Sequence, residues 1–372
     1  MLDRELERFA RWVRFELPDI NNTLYGDCNH SSAQARLLTE GTHSIRRIMQ
    51  LDWRHDPLGT RLGLLNLTGM FMASCHAHLR RAGRTGYMPE DVDLFADELG
   101  RSCGCAPRSL ALLYLEHNAM VDGRLLTFTN HPDEIAFIRF NLRGVVGYEA
   151  AARAVLRVGR LGIFHPDAPA LLEHAITAME EVAAAMQLSV DPEWFYGHLR
   201  LYFDDYEVAG RSWLGPNAGD QGGVILLDLG LGLTSMFGGE QQAFDAYIER
   251  KLPCMPPGAQ RWVEEERHTR GLLTQLFTAL DLDSVDDAEA AVKLDSSGTR
   301  ACAVALSRIC ELHGLASGRH VGLVQRHIVK PAQKLGELGA PNGIPLLTRI
   351  TQMRSKHPQV LRLREILAAG NG

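Results

Sequence analysis

Apolar residues recur along this chain mostly at three- and four-residue intervals, the spacing of one helix face, and sustained alternation is almost absent. Leu2, Leu6, Phe9, Val13 and Leu17 form a first stripe, which Pro18 is predicted to close. "SSAQARLL" opens a second helix with serines suited to capping it. The uncharged run "LGLLNLTGMFMASCHAHL", residues 62–79, contains Asn66, Thr68, Ser74, His76 and His78. A membrane span needs about twenty mainly apolar residues, so this run reads as a buried helix. "PEDVDLFADELG" predicts a capped helix ending in Gly100, and "APRSLALLYLEH" another with Pro107 in its first turn. Further helices fit "YEAAARAVLRV", "PALLEHAITAMEEVAAAM", "AFDAYIERKL", "RWVEEERHTRGLLTQLFTAL", "TRACAVALSRICELH", "RHVGLVQRHIVK" and "LLTRITQMRS". The expected fold class is all-α. The Gly/Pro-rich "SCGCAPR" is the best candidate boundary, dividing a smaller N-terminal helical domain, residues 1–105, from a large helical domain, residues 106–372.

With 45% hydrophobic and 23% charged residues, the chain has the make-up of a folded domain and not of a disordered one. Lys and Arg number 39 against 45 Asp and Glu, and a net charge of -6 argues against a nucleic-acid partner. The opening "MLDRELERFARWVRFEL" has no continuous apolar core and is not a secretion signal. Seven scattered cysteines, an odd number in a long chain, suit reduced thiols in the cytoplasm. The expectation is a cytoplasmic protein with no membrane partner.

Several stretches could carry chemistry. In "SGRHVGLVQRHIVKPA", His320, Leu323, Val324 and His327 share a helical face. Seven residues at a helical rise separate the two rings by roughly 10 Å, too far to share one metal ion. A metal on this helix would therefore use one histidine, and the plain alternative is that both pack. In "CHAHL", His76 and His78 lie two apart and point to different sides of a helix, so they read as packing. "CGC" (Cys103, Cys105) lacks a second pair at zinc spacing and reads as a turn. "GGVILLDLGLGLTSMFGG", residues 222–239, has Ser235 where a dinucleotide loop needs its third glycine, and it lacks a Walker lysine. A glycine-rich helix lying close to a flat ligand explains it equally well. "FYGHLR" sets Phe195, Tyr196 and Arg200 within two turns; an arginine beside aromatic rings can grip a carboxylate while the rings cover an apolar ligand.

Together four stretches, spread over about residues 28–354, resemble the indoleamine/tryptophan 2,3-dioxygenase superfamily of histidine-ligated heme enzymes. "CMPPGAQRW" resembles its Met-Pro-Pro segment, and "FYGHLRLYF" its Phe-Tyr-x-x-Leu-Arg motif. "NAGDQGGVILLDLGLG" resembles its Ser-Ala-Gly-Gln stretch leading into an Asp-x-x-Leu-Gly helix, and "RHVGLVQRHIVKPA" the segment holding the proximal histidine. "YEVAGRSWLGPNA" and "CNHSSAQARLL" are closer to the monodechloroaminopyrrolnitrin synthase branch.

The resemblance implies a helical heme-binding catalytic domain with heme b held noncovalently, since no His-x-x-x-Cys attachment spacing occurs. It selects His320 as iron ligand and places Ala218 and Gly219 at the heme edge. It implies that Arg200 holds a substrate carboxylate and that Phe195 and Tyr196 wall an indole. Phe140, Gly144, Asn217 and Asn342 fall at the substrate and distal pocket. Three positions depart from the pattern. Leu201 replaces a proline, Ile344 replaces a hydroxyl-bearing residue, and Ser317 replaces an arginine three residues before the histidine that pairs with a heme propionate. Arg319 or Arg326 is the expected substitute. The implied activity is heme-dependent oxidation or rearrangement, by dioxygen, of tryptophan or a modified tryptophan, in a monomer or homodimer with room for an external reductant. Ring opening to N-formylkynurenine is the alternative within that class. A noncatalytic heme sensor or carrier, and a helical interaction protein without heme, are the alternatives outside it.

Overall fold

The computed structural model describes residues 2–25, 30–81, 88–187, 189–234, 241–335 and 344–370. It is 75% helical, as the periodicity predicts. In chain order the helices are α1 (Leu2–Phe15), α2 (Leu17–Tyr25), α3 (His30–Met49), α4 (Leu58–Arg81), α5 (Glu90–Cys103) and α6 (Ala111–Leu115). There follow α7 (Pro132–Leu161), α8 (Ala168–Ala185), α9 (Pro192–Trp194), α10 (Gly222–Leu231), α11 (Gln241–Lys251) and α12 (Pro257–Glu266). The chain ends with α13 (Leu272–Leu280), α14 (Asp287–Lys293), α15 (Ser297–Val324), α16 (Lys330–Lys334), α17 (Ile344–Lys356) and α18 (Pro358–Ala369).

Two units emerge. The first comprises Met1–Arg139, Ser189–Gln221 and Arg250–Gln260. Its axis is α4, buried along nearly its whole length as the uncharged run predicts, with α1, α2, α3, α5 and α6 packed around it. A small antiparallel hairpin, β1 (Tyr206–Val208) and β2 (Arg211–Trp213), pairs Tyr206 with Trp213. The second unit comprises Phe140–Leu188, Gly222–Glu249 and Arg261–Gly372. There α15 packs on α8, α17 and α18.

Several boundaries differ from expectation, each for a local reason. Pro18 does not end a helix; it sits in the first turn of α2, where its missing N–H costs nothing. Pro107 lies outside a helix, which begins only at Ala111. A Cβ on Gly69 of α4 would collide with Ser109 N, so the 108–109 backbone lies directly on α4, and Ser109 Oγ donates to Asn66 Oδ1 at 2.8 Å. Helix α5 runs three residues past Gly100 and stops at Gly104, which takes the left-handed conformation (φ +70°) that ends helices. "RWVEEERHTRGLLTQLFTAL" is broken into α12 and α13, because Gly271 crosses the end of α10 against Gly232 with no room for a Cβ.

The two predicted helices around residues 299–328 merge into α15, which continues through a π turn, Gln325–Val329, into α16. The glycines of "GGVILLDLGLG" serve helix packing. On α10, a Cβ at Gly223 would meet Glu149 N at 2.8 Å and one at Gly230 would meet Val155 Cγ1 at 2.8 Å, both on α7.

Candidate functional site

Unit 1 carries the arginine motif. Asp191 caps α9, its Oδ1 accepting from Trp194 N at 2.6 Å. The next turn widens into a π turn, Phe195–Leu199, and then tightens into a 3₁₀ turn, Arg200–Phe203. π turns occur frequently at functional sites, because the extra residue re-aims the side chains around it. Phe195 is buried with its ring 5.4 Å from that of Phe137, and Tyr202 stacks on Phe128 at 4.2 Å. These anchors leave Tyr196 half-buried and Arg200 at 26% side-chain exposure. Arg200 Nη1 lies 2.8 Å from Asp204 Oδ1, yet this shielded nitrogen makes no properly directed hydrogen bond. The guanidinium is charge-paired with donor capacity unspent.

The Asn217–Gly219 loop is held from beneath by residues that sequence reasoning missed. Lys251 Nζ donates to Asn217 Oδ1 at 2.6 Å and to Asp220 Oδ1 at 2.9 Å, while Asp220 Oδ2 accepts from Asn217 N at 3.0 Å. Asn217 Oδ1 also accepts from Gly219 N at 3.0 Å. Burial pushes the Asp220 carboxyl up, with Lys251 and Arg108 pulling the other way. Arg108, almost completely buried, donates to the Leu214 carbonyl just upstream and lies over the Tyr206 ring at 4.6 Å. Neither "APRS" nor "ERKL" carries a motif that would have marked Arg108 or Lys251. Ala218 lies in the 3₁₀ turn Ala218–Asp220, and its side chain is outside the described residues.

Unit 2 carries the histidine helix. His320 is half-buried but densely surrounded, and desolvation, helped by the Arg354 charge, pushes it down to about 4, so the imidazole is neutral. No hydrogen bond to its ring occurs among the described residues. His327 differs. It sits buried inside the π turn, with Nδ1 donating to the Leu323 carbonyl at 3.1 Å. The inserted residue of the π turn shifts the helical phase, so the simple seven-residue register between the two histidines does not hold. Arg319 donates to the Ala183 carbonyl on α8, and Arg326 is exposed. Phe140 and Gly144 lie on one stripe of α7, four residues apart, with Tyr148 next on the same stripe. A Cβ at Gly144 would meet only Met186 Cε, at 3.8 Å. Asn342 lies outside the described residues.

Ser317 is met by an arginine from α17. Arg354 donates from Nη1 to Ser317 Oγ at 2.8 Å, and from Nε and Nη2 to Asp228 at 2.9 and 2.5 Å. His313 Nε2 donates to the same Asp228 Oδ1 at 2.8 Å. The close approach of α17 is allowed by Gly314 and Gly318, which face Ser355 and Thr351.

The remaining histidine candidates pack. His78 is buried against Asn21 Oδ1 at 2.9 Å, and His76 stacks on Tyr206 at 4.5 Å. Among the described residues no group of three or more His, Cys, Asp or Glu could hold a metal ion, and no helix is long and apolar enough to cross a membrane.

Sequence comparison gives the class first: the chain is a tryptophan-modifying oxygenase of antibiotic biosynthesis. The family model described as Monodechloroaminopyrrolnitrin synthase PrnB matches residues 6–340, nearly the whole chain, and the chain belongs to that family. The expected kinship with that branch is borne out. No curated protein matches the chain.

Proposed function

We propose that the protein holds heme b noncovalently through His320 and uses dioxygen to oxidise or rearrange tryptophan or a modified tryptophan. The observation that carries this reading is His320 itself, a neutral imidazole with no hydrogen bond to its ring among the described residues. A ligating histidine must be unprotonated, and the donor set here is one nitrogen with no competing cluster of metal ligands among the described residues. When bound, heme supplies the dioxygen chemistry. The chain's own residues bind and orient the substrate.

Arg200 takes the substrate carboxylate, using the donor capacity that Asp204 leaves unspent, and so fixes which ring carbon faces the oxidant. Phe195 and Tyr196 cover the indole. Asn217 with Ala218 and Gly219 forms a preset close-approach loop, held by Lys251 and Asp220. Phe140 and Gly144 are assigned to the substrate and distal pocket, Gly144 being small and offering no proton-transfer group. Asn342 serves the substrate amine. Arg319 and Arg326 are proposed at the heme edge, Arg326 being the one with a free-standing, exposed side chain. The working form is a cytoplasmic monomer or homodimer that accepts electrons from an external reductant.

Reconstitution with hemin tests the reading. The wild type should develop a Soret band and His320→Ala should lose it; a colourless wild type overturns the proposal. Incubating the ferrous protein with tryptophan under air, followed by mass analysis, separates the chemistries. A product two oxygens heavier marks ring opening, and any other mass change marks the specialised route.

A further inference from the structure

In unit 1, polar groups from three parts of the chain gather around one buried ring, that of Tyr206 in β1. The His76 imidazole of α4 stacks on it at 4.5 Å, 18° from parallel. The Arg108 guanidinium lies over it, with Cζ 4.6 Å from the ring centroid. Trp213 stands directly opposite across the hairpin, so the two side chains share a face, with Cβ atoms about 4.5–5.5 Å apart.

Three of these side chains hold a buried polar atom that no described residue meets: His76 Nε2, the Tyr206 hydroxyl and Trp213 Nε1. Folded proteins leave few such atoms unmet, and three beside one ring call for a common partner. An indole N–H can only donate. Burial keeps the Tyr206 phenol protonated, pushed up to about 12, and the His76 ring neutral, pushed down to about 4, so each can present a proton as well. The partner must therefore accept.

Its charge follows from Arg108. This almost completely buried guanidinium directs its hydrogen bonds, among the described residues, only to the main-chain carbonyls of Ser109, Trp213 and Leu214. The surrounding carboxylates are engaged elsewhere. Asp220 pairs with Lys251 at 2.9 Å, Asp205 accepts from Gly215 N at 2.6 Å, and Asp93 accepts from Ala209 N at 2.6 Å. A buried cation without an ion pair is strongly disfavoured unless a counter-ion joins it.

We infer that His76, Arg108, Tyr206 and Trp213 form a binding site for a small monovalent anion, a halide or a formate-sized carboxylate, which the proposed reaction does not use. The anion accepts from the indole N–H, the phenol and the imidazole, and it neutralises the guanidinium. Because Arg108 also holds the Leu214 carbonyl, occupancy steadies the segment that leads into the Asn217–Gly219 loop.

The test is the melting temperature of the full chain at constant ionic strength, as potassium gluconate is replaced by potassium chloride, bromide or formate. A ligand that binds only the folded state raises the melting temperature with its concentration. The wild type should respond to at least one of the three small anions, and the one acting at the lowest concentration identifies halide or carboxylate as the occupant. Tyr206→Phe and Trp213→Phe keep an aromatic ring and each remove one donor. Each should raise the concentration needed by at least about tenfold, the effect of losing one hydrogen bond to a charged group. A wild type that does not distinguish the small anions from gluconate, or variants that respond at the wild-type concentration, overturn the inference. Where one variant fails to fold, the other decides on the same criterion. Where both fail, bromide-soaked crystals of the wild type decide: anomalous signal beside Tyr206 and Trp213 supports the site, and bromide at other positions only, an adventitious ion, overturns it.

Discussion

Arg200 and Asp204 face each other one turn apart, Nη1 to Oδ1 at 2.8 Å, with both side chains about a quarter exposed. The carboxylate of Asp204 therefore stands where a substrate carboxylate would compete. Asp204→Asn is expected to tighten binding of tryptophan several-fold and Arg200→Ala to weaken it, as read by calorimetric titration. Equal affinities in the three proteins would remove Arg200 from the binding site.

Lys251 and Asp220 are both buried, at 10% and 2% side-chain exposure. Breaking a buried pair by removing one partner strands the other charge, at a cost of about 3–5 kcal/mol. Lys251→Met should lose stability on that scale in urea unfolding, and Lys251→Met/Asp220→Asn should recover much of it.

His76 and His313 are both pushed down to about 4, by desolvation first. The folded protein keeps them neutral, whereas the unfolded chain takes up protons below about 6.5. Their contribution to stability is therefore complete above pH 6.5 and is lost as pH falls towards 4. For fully buried His313 the loss is on the order of 3 kcal/mol. His76→Phe keeps the ring stacked on Tyr206 without the titration, so its unfolding free energy should fall less steeply between pH 6.5 and 4 than that of the wild type.

A Cβ at Gly223 would press on the α7 backbone, 2.8 Å from Glu149 N and 3.0 Å from Tyr148 C. Overpacking of this kind typically costs about 1–3 kcal/mol. Gly223→Ala should therefore lower the melting temperature. Gly258→Ala, on α12 with nothing within 4 Å, should leave it unchanged or raise it slightly.

Helix content and the kinship of the chain were legible because both are local: a stripe such as Leu6, Phe9 and Val13, or a string such as "FYGHLR", can be read within a few turns. What escaped was set by distance. Arg354 reaches the histidine helix from α17 and meets Asp228 126 residues away, so no spacing rule near position 317 could point to it. The hairpin was missed for a different reason. Its turn is Ala209–Gly210, both at positive φ, and an alanine at φ +48° lacks the Asn-Gly or Asp-Gly signature of such turns. Asp93, whose Oδ2 accepts from Ala209 N at 2.6 Å, supports the conformation from α5. Pro107 misled because propensity was overruled by the packing of its neighbours on Gly69.

The two π turns, Phe195–Leu199 and Gln325–Val329, each hold one residue more than an α-turn would. Deleting a single residue from an ordinary α-turn would swing everything downstream by about 100°, the angular step of one α-helical residue. Deleting the extra residue of either π turn would instead let the bulge close into a regular α-helix and leave the flanking turns near their present aim. Sequence alignments of relatives should therefore find a one-residue gap easier to absorb at these two places than elsewhere on the same helices.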